Sequence, residues 1–227
     1  MTWVLNNLDL IWELTVVHLR QSVIAIILGF LLSIPLGWVA WCFTRLRGSI
    51  LTVTGLLYTI PALALLPILP VVLGTLYRSE LNLIFALTIY AVALMVRSVA
   101  DGLDAVDPAV RLSATAMGYG TVRRFFAVDF PLAGPVILAG LRVTAVSTIA
   151  VATVGALVGI TNLGYLFTNG LQRRIIAEVV AGIIAVVLIA VIIDLVLVAA
   201  GRIAMPWTRA QRRRARRGAV PLEVSVA

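Results

Sequence analysis

Few side chains in this sequence of 227 residues could perform covalent chemistry. It contains one cysteine, Cys42, and one histidine, His18, and all eighteen basic residues are arginine. A single cysteine and a single histidine cannot build a disulfide framework or a Cys/His metal cluster. Without lysine there is neither a Schiff-base nucleophile nor a Gly-Lys phosphate-binding motif. We therefore expect no catalytic residue, no metal site and no cofactor bound by this chain itself.

Two charged residues stand out because they lie inside long apolar stretches. Arg142 and Asp194 are each about 10–14 Å from the same end of their stretches, at 1.5 Å per helical residue. Charged residues within a bilayer are costly and tend to be functional or paired. We predict an ion pair between Arg142 and Asp194. A role in gating or solute contact, and snorkelling to the interface, are the alternatives.

One aromatic residue lies beside a proline within an apolar stretch, Tyr58 before Pro61. A proline breaks the helix and can expose backbone to a wet cavity, and an aromatic face can hold a quaternary ammonium ion. Tyr58 and Pro61 are therefore candidates for a solute path. Packing of Tyr58 against lipid or other helices is the alternative.

The composition indicates that these residues are positioned by helices that span a membrane. The sequence is 62% hydrophobic and 12% charged, and its mean hydropathy is +1.09. Soluble domains are about half apolar and a quarter charged. Five stretches are long enough to cross about 30 Å of hydrocarbon. They run over about residues 22–43, 50–73, 81–96, 132–160 and 175–200, and we expect Pro67 and Pro70 to break the second.

The flanking segments and the arginine distribution predict the topology. Residues 1–20 are expected to form an interfacial helix, residues 21–201 the membrane domain, and residues 202–227 a basic, disordered tail. Thirteen arginines fall on one side of the five spans and four on the other. Because positive charge is retained in the cytoplasm, we place the N-terminus outside and the C-terminus inside. Anionic lipid explains the basic tail better than nucleic acid, since no aromatic residues alternate with its arginines.

The longest polar connection, residues 101–131, contains signals for a helix of its own. Asp107 is a good N-cap, Pro108 suits the first helical turn, and Gly118 suits a helix end. A connection of this length is rarely structureless unless it has a function. We therefore predict that the helix over 108–117 docks on a partner.

The same segment resembles the coupling-loop signature of bacterial ABC-importer permeases. That signature reads Glu-Ala-Ala, three residues, Gly, nine residues and Ile-x-Leu-Pro; Gly118, Val128 and Pro131 are in register with it. The stretch from Ile60 to Ala64, reading Ile-Pro-Ala-Leu-Ala, is similar to permeases of osmoprotectant uptake systems. The resemblance covers residues 14–200 and implies an all-α, five-span type I ABC importer permease.

The resemblance implies that the loop helix couples the membrane domain to an ATPase. The residues it assigns to that contact are Pro108, Arg111, Leu112, Ser113, Ala114, Met117 and Gly118. Leu112 occupies the family's glutamate position and Ser113 that of the first alanine. This departure leads us to favour a heterodimer with a second, more standard permease over a homodimer.

The resemblance implies a non-enzymatic transport subunit in the bacterial inner membrane. It would carry quaternary amines such as glycine betaine, choline or carnitine. ATP and Mg would bind a separate cytoplasmic ATPase dimer, and an external binding protein would deliver the solute. A methionine or other amino-acid permease is the alternative. A membrane scaffold or an intramembrane enzyme fits less well, because a scaffold needs no capped loop helix and an enzyme needs clustered acids or a serine–lysine pair.

Overall fold

The computed structural model describes residues 2–208, which are helical apart from short connections, with no strand in that range. The predicted all-α class is confirmed. The predicted tail lies outside the described residues from residue 209 onward. The helices are α1 (Thr2–Leu5), α2 (Leu8–Cys42), α3 (Thr44–Thr59), α4 (Ala62–Leu73), α5 (Glu80–Asp104), α6 (Pro108–Ala116), α7 (Thr121–Arg124), a π-helical turn (Phe125–Asp129), α8 (Phe130–Ala152), a 3₁₀ turn (Thr153–Val158), α9 (Gly164–Arg173) and α10 (Ile176–Ala204).

The first long helix does not stop where the sequence suggested. We expected a separate interfacial helix over residues 1–20, but α2 continues without a break from Leu8 to Cys42. The polar residues around the expected boundary, His18, Gln21 and Ser22, are all fully buried against the protein. Because these side chains face other helices and not the lipid headgroups, they do not end the span.

The second span is broken, at a position different from the one predicted. α3 and α4 meet at an angle of 103°. The break falls at Ile60 and Pro61, which are both extended, whereas Pro67 and Pro70 lie inside α4. A residue before proline is disfavoured in the helical region, which accounts for Ile60. The loss of one backbone donor at each later proline is tolerated within a membrane-spanning helix.

Four of the described helices, or five if α3 and α4 count as one broken span, are long and apolar enough to cross a membrane. The most apolar part of α5 is 67% buried, against 6% for α10. α5 is therefore the central helix, packed between α2 and α8, and α10 lies at the periphery against α8 and α9. A helix that is apolar on all sides and little buried suits contact with lipid.

Small residues allow α5 to approach its neighbours closely. Gly29 of α2 faces Ala91, and Gly140 of α8 faces Ser98, with no room for a β-carbon on either glycine. Such close contacts are the usual basis of helix association in membranes, where lipid competes equally for apolar surface.

Ion pairs mark the two ends of the bundle. At one end, the loop end, Arg47 lies 2.5 Å from Asp104 just before the connection to α6. At the opposite end, Arg20 lies 2.6 Å from Glu80 at the start of α5. α6 and α7 therefore project from the loop end, on the connection between α5 and α8.

Candidate functional site

The loop helix α6 forms as its local signals predict. The Asp107 carboxylate accepts a hydrogen bond from the Ala109 backbone N–H at 2.8 Å, and Pro108 occupies the first turn. Gly118 follows the helix with φ +83°, in the left-handed region that favours glycine. The predicted helix over 108–117 is thus confirmed within one residue at its end.

The two most exposed large side chains at α6 are apolar. The side chains of Leu112 and Met117 are 72% and 70% exposed, and Pro108 and Ser113 are exposed beside them. Ala114 faces inward and is 2% exposed. With Gly118, five of the seven residues assigned to the ATPase contact are therefore exposed, whereas Ala114 packs against the bundle.

Arg111 is the charged residue in the predicted contact, and its side chain faces the bundle. Its Nε donates to Asp129 Oδ1 at 3.1 Å, and its Nη2 donates to the Leu103 carbonyl. Its guanidinium also lies 4.7 Å from the centre of the Trp41 ring. The side chain therefore connects α6 to residues of α5, α2 and the π-helical turn, and does not project with Leu112.

Two further residues of this region were not found from the sequence. Asp129 is 1% exposed and accepts a second hydrogen bond, from Arg124 Nε at 3.2 Å. Arg124 also donates to Thr115 Oγ1 of α6 at 3.0 Å. The available signal was an acidic residue two positions before Pro131, at the start of an apolar span and close to several arginines.

The two candidate path residues lie at the break in the second span. Tyr58 is 44% exposed, and its ring meets Tyr90 edge to face at 5.8 Å between centroids. The Tyr90 hydroxyl donates to the carbonyl of Ile60, next to Pro61. This bond satisfies a carbonyl at the break, so Tyr90 stabilises the bend from the neighbouring helix.

A cavity of about 420 Å³ lies close to this break, between α2, α3 and α5. Its walls are apolar except for Thr88. Thr88 Oγ1 is already bonded to the Ile84 carbonyl. The residues lining it are Leu28, Leu32, Leu57, Ile84, Phe85, Thr88, Ile89 and Val92. Such walls can contact methyl groups or acyl chains but offer no charged partner.

Arg142 and Asp194 form a two-pronged contact between α8 and α10. Arg142 Nε lies 2.6 Å from Asp194 Oδ1, and Arg142 Nη2 lies 2.8 Å from Oδ2. Parallel hydrogen bonds of this kind fix the relative position of two helices as well as neutralising both charges. The pair is distant in sequence from the loop and from the Tyr58 break.

A buried polar network at the end of α8 was also missed. His18 Nε2 lies 3.1 Å from the Ile149 carbonyl, and Gln21 Nε2 donates to Thr161 at 3.2 Å. Asn162 donates to the Ala152 carbonyl at 2.8 Å, and its side-chain oxygen accepts the Gly164 N–H at 2.8 Å. α8 changes to a 3₁₀ turn here, so these side chains bond backbone groups that a continuous helix would satisfy.

No cluster of three or more His, Cys, Asp or Glu side chains that could hold a metal occurs within residues 2–208. The candidate site instead consists of α6, which projects at the loop end, and the bent pair of α3 and α4 within the bundle.

The chain is similar in sequence to a known protein family and to several characterised permeases. Residues 25–210 match the family described as the binding-protein-dependent transport system inner membrane component. The choline transport system permease protein OpuBB of Bacillus subtilis (strain 168) is 31% identical over 197 residues, covering 87% of this chain and 89% of that protein. The glycine betaine/carnitine/choline transport system permease protein OpuCD of the same organism is 34% identical over 181 residues, covering 79% and 78%.

A solved structure of the MetNI methionine ABC transporter in an inward-facing conformation has the same fold. The TM-score is 0.77 at 19% identity, with 87% of this chain and 97% of that chain covered. The predicted type I ABC importer permease fold is therefore confirmed.

Proposed function

The chain belongs to the family of inner-membrane components of binding-protein-dependent transport systems, and on that basis we propose that it is the permease of an ATP-driven importer of quaternary-amine osmoprotectants. The solutes would be glycine betaine, choline, carnitine or proline-type osmoprotectants. The observation that carries the proposal is the identity of 31% and 34% to two permeases named for these amines, over most of the chain. The chain is a multi-pass protein of the bacterial inner membrane.

In this proposal the loop end faces the cytoplasm and α6 docks on one subunit of an ATPase dimer. The exposed Leu112 and Met117 side chains support an apolar contact there. ATP and Mg bind the ATPase, which would close on ATP and displace α6. The spans would then move between inward-facing and outward-facing arrangements, a rigid-body transition driven from a docked element.

The other partners follow from the family. An extracytoplasmic binding protein delivers the solute to the opposite end, and a second permease completes the path. Because Leu112 stands where the family signature has glutamate, we favour a second, divergent permease over an identical copy. Lipid covers the apolar face of α10, which is little buried within this chain.

The solute would pass close to the break in the second span. The exposed ring of Tyr58 lies beside the extended backbone of Ile60 and Pro61, and the buried ring of Tyr90 supports it edge to face. Aromatic faces attract quaternary ammonium groups, with about 0.5–2 kcal/mol for each well-placed ring. The paired Arg142 and Asp194 would hold α8 to α10 during the movement.

A methionine importer is the second candidate, favoured by the similarity of the fold to MetNI. At 19% identity that similarity supports a shared fold but not a shared solute. The amine permeases are more similar in sequence over a comparable length. A non-transport scaffold would have no use for a capped helix that projects from the membrane.

Uptake of labelled solutes decides between these candidates. Cells that carry or lack this gene are exposed to hyperosmotic medium, and uptake of glycine betaine, choline, carnitine and methionine is compared. We expect the deletion to reduce uptake of at least one amine and to leave methionine uptake unchanged. Loss of methionine uptake alone would favour the second candidate, and unchanged uptake of every amine would refute the main proposal.

A further inference from the structure

The inner side of the loop holds three charged side chains in contact, which we call the Asp129 cluster: Arg111, Arg124 and Asp129. One carboxylate accepts both arginines, on different oxygens, at 3.1 and 3.2 Å. Asp129 is 1% exposed and the arginine side chains are 17% and 21% exposed. Charge-assisted hydrogen bonds are stronger than neutral ones, and shielding from water strengthens them further.

The arginines of the Asp129 cluster also contact helices outside the loop. Arg111 also donates to the Leu103 carbonyl near the end of α5 and stacks on Trp41 near the end of α2. Arg124 donates to Thr115 of α6. α6 is thereby joined by polar contacts to the ends of three spans, because Asp129 immediately precedes α8.

Apolar packing contributes little to the attachment of α6. Within α6, which is described throughout, only Ala114 is fully buried. Without the cluster, α6 would be attached to the bundle mainly by one methyl group and by its chain connections. Asp129 also ends a π-helical turn, a rare distortion that is often found at functional positions in helices.

We infer that Asp129 is a positioning residue that transmits displacement of α6 to α8, and through Arg111 to α5 and α2. The inference rests on the proposed docking of α6 on an ATPase. The Asp129 carboxylate also offsets the repulsion between Arg111 and Arg124. Without it the two arginines repel each other, and α6 separates from the start of α8.

The decisive variant is Asp129→Asn, which keeps the size of the side chain and removes its charge. In the reconstituted permease–ATPase complex we expect ATP hydrolysis to continue while solute transported per ATP falls about fivefold to tenfold, within the usual range of coupling between sites. Asp129→Glu should restore part of the ratio. The control is Glu80→Gln, which removes an acid from the exposed Arg20 pair at the opposite end. An unchanged ratio in Asp129→Asn would overturn the inference.

If Asp129→Asn does not accumulate in the membrane, Arg124→Gln decides in its place. It removes one of the two arginine contacts of Asp129, together with the Arg124 bond to Thr115, and leaves Asp129 paired with Arg111. We expect a smaller fall in transport per ATP at normal complex yield, and a normal ratio would again overturn the inference.

A distance measurement separates this inference from the proposed function, because it needs no solute. In a Cys42→Ala background, spin labels at Val110 of α6, which is outside the residues assigned to the ATPase contact, and Val143 of α8 occupy exposed positions. In the ATPase complex, the wild-type distances between the two labels should form one narrow distribution, and addition of ATP should shift its mean. Asp129→Asn should give a broad distribution that responds little to ATP. Absence of amine uptake would refute the solute assignment only, whereas equal distributions would refute the role of Asp129.

Discussion

At the scale of single residues, charged side chains act here as connectors between helices. Arg142 and Asp194 join α8 to α10, and Arg47 joins α3 to the end of α5. Inside a bilayer an unpaired charge is costly, so removal of one partner does more harm than the loss of one hydrogen bond. The pairs thereby determine which helices lie together and at what relative height, because apolar packing alone would let the helices slide along each other.

We predict that Asp194→Asn reduces the amount of assembled permease in the membrane more than it changes solute preference. The substitution leaves Arg142 without its counter-charge within an apolar span, where an unpaired charge is costly. The measurement is the yield of complex together with competition between amines for uptake. The double variant Arg142→Asp with Asp194→Arg should recover much of the yield. Normal yield with altered preference would instead indicate a solute contact.

At the scale of elements, the irregular segments have specific side chains that satisfy their backbone. Tyr90 donates to the Ile60 carbonyl at the break, and Asn162 donates to the Ala152 carbonyl at the end of α8 and accepts the Gly164 N–H at the start of α9. Irregular backbone at membrane depth is tolerated only where protein or water satisfies it. The break and the 3₁₀ turn are therefore built features of the fold, supported by residues on neighbouring elements.

We predict that Asn162→Ala lowers the free energy of unfolding by about 2 kcal/mol, because it leaves the Ala152 carbonyl and the Gly164 N–H without their hydrogen-bond partner. Asn162 is fully buried, so water cannot replace its bonds readily. Thermal unfolding in detergent measures the effect. The matched control is Asn6→Ala, because Asn6 is exposed. Equal stability of the two variants would contradict the assigned role.

The exposed face of α6 gives a second prediction at this scale. Leu112→Ala should weaken binding of the ATPase about tenfold, because burial of a leucine side chain contributes about 1.5–3 kcal/mol. Affinity of the purified ATPase for permease in nanodiscs is the measurement. Leu76→Ala is the control, since Leu76 is 84% exposed at the opposite end. An unchanged affinity for Leu112→Ala would show that docking uses another face.

At the scale of the whole molecule, the arrangement is asymmetric about the membrane. One end carries the projecting α6 and α7, and thirteen of the eighteen arginines are assigned to that side by sequence. The other end carries the α4–α5 connection, the 3₁₀ turn, α9 and the Arg20–Glu80 pair. This asymmetry suits a protein that receives solute at one end and mechanical work at the other.

The predicted orientation can be measured with a membrane-impermeant thiol reagent on spheroplasts. In a Cys42→Ala background, Gln172→Cys at the opposite end should be labelled, because the positive-inside rule places that end outside. Ser113→Cys in α6 should be labelled only after the membrane is disrupted. Both positions are exposed, so disrupted membranes should label both and serve as the control. The reverse pattern would refute the orientation.

Part of the site could be predicted because its signals are local. Asp107, Pro108 and Gly118 determine the start and end of α6 through interactions within a few residues, so the helix was found with nearly correct bounds. The position of the broken span was wrong for the opposite reason. Three prolines in one stretch look alike in sequence, but a neighbouring tyrosine bonds the backbone beside Pro61.

The sequence by itself determined the membrane location, the helical class, the number of apolar stretches and the family, since composition and short motifs carry these. Only the tertiary structure decided which polar residues are buried. His18 meets the Ile149 carbonyl 131 residues away, and Arg111 turns inward to Asp129 while Leu112 faces out. Such pairings depend on which helix faces pack together. That choice is set by close contacts such as Gly29 against Ala91, which no local pattern encodes.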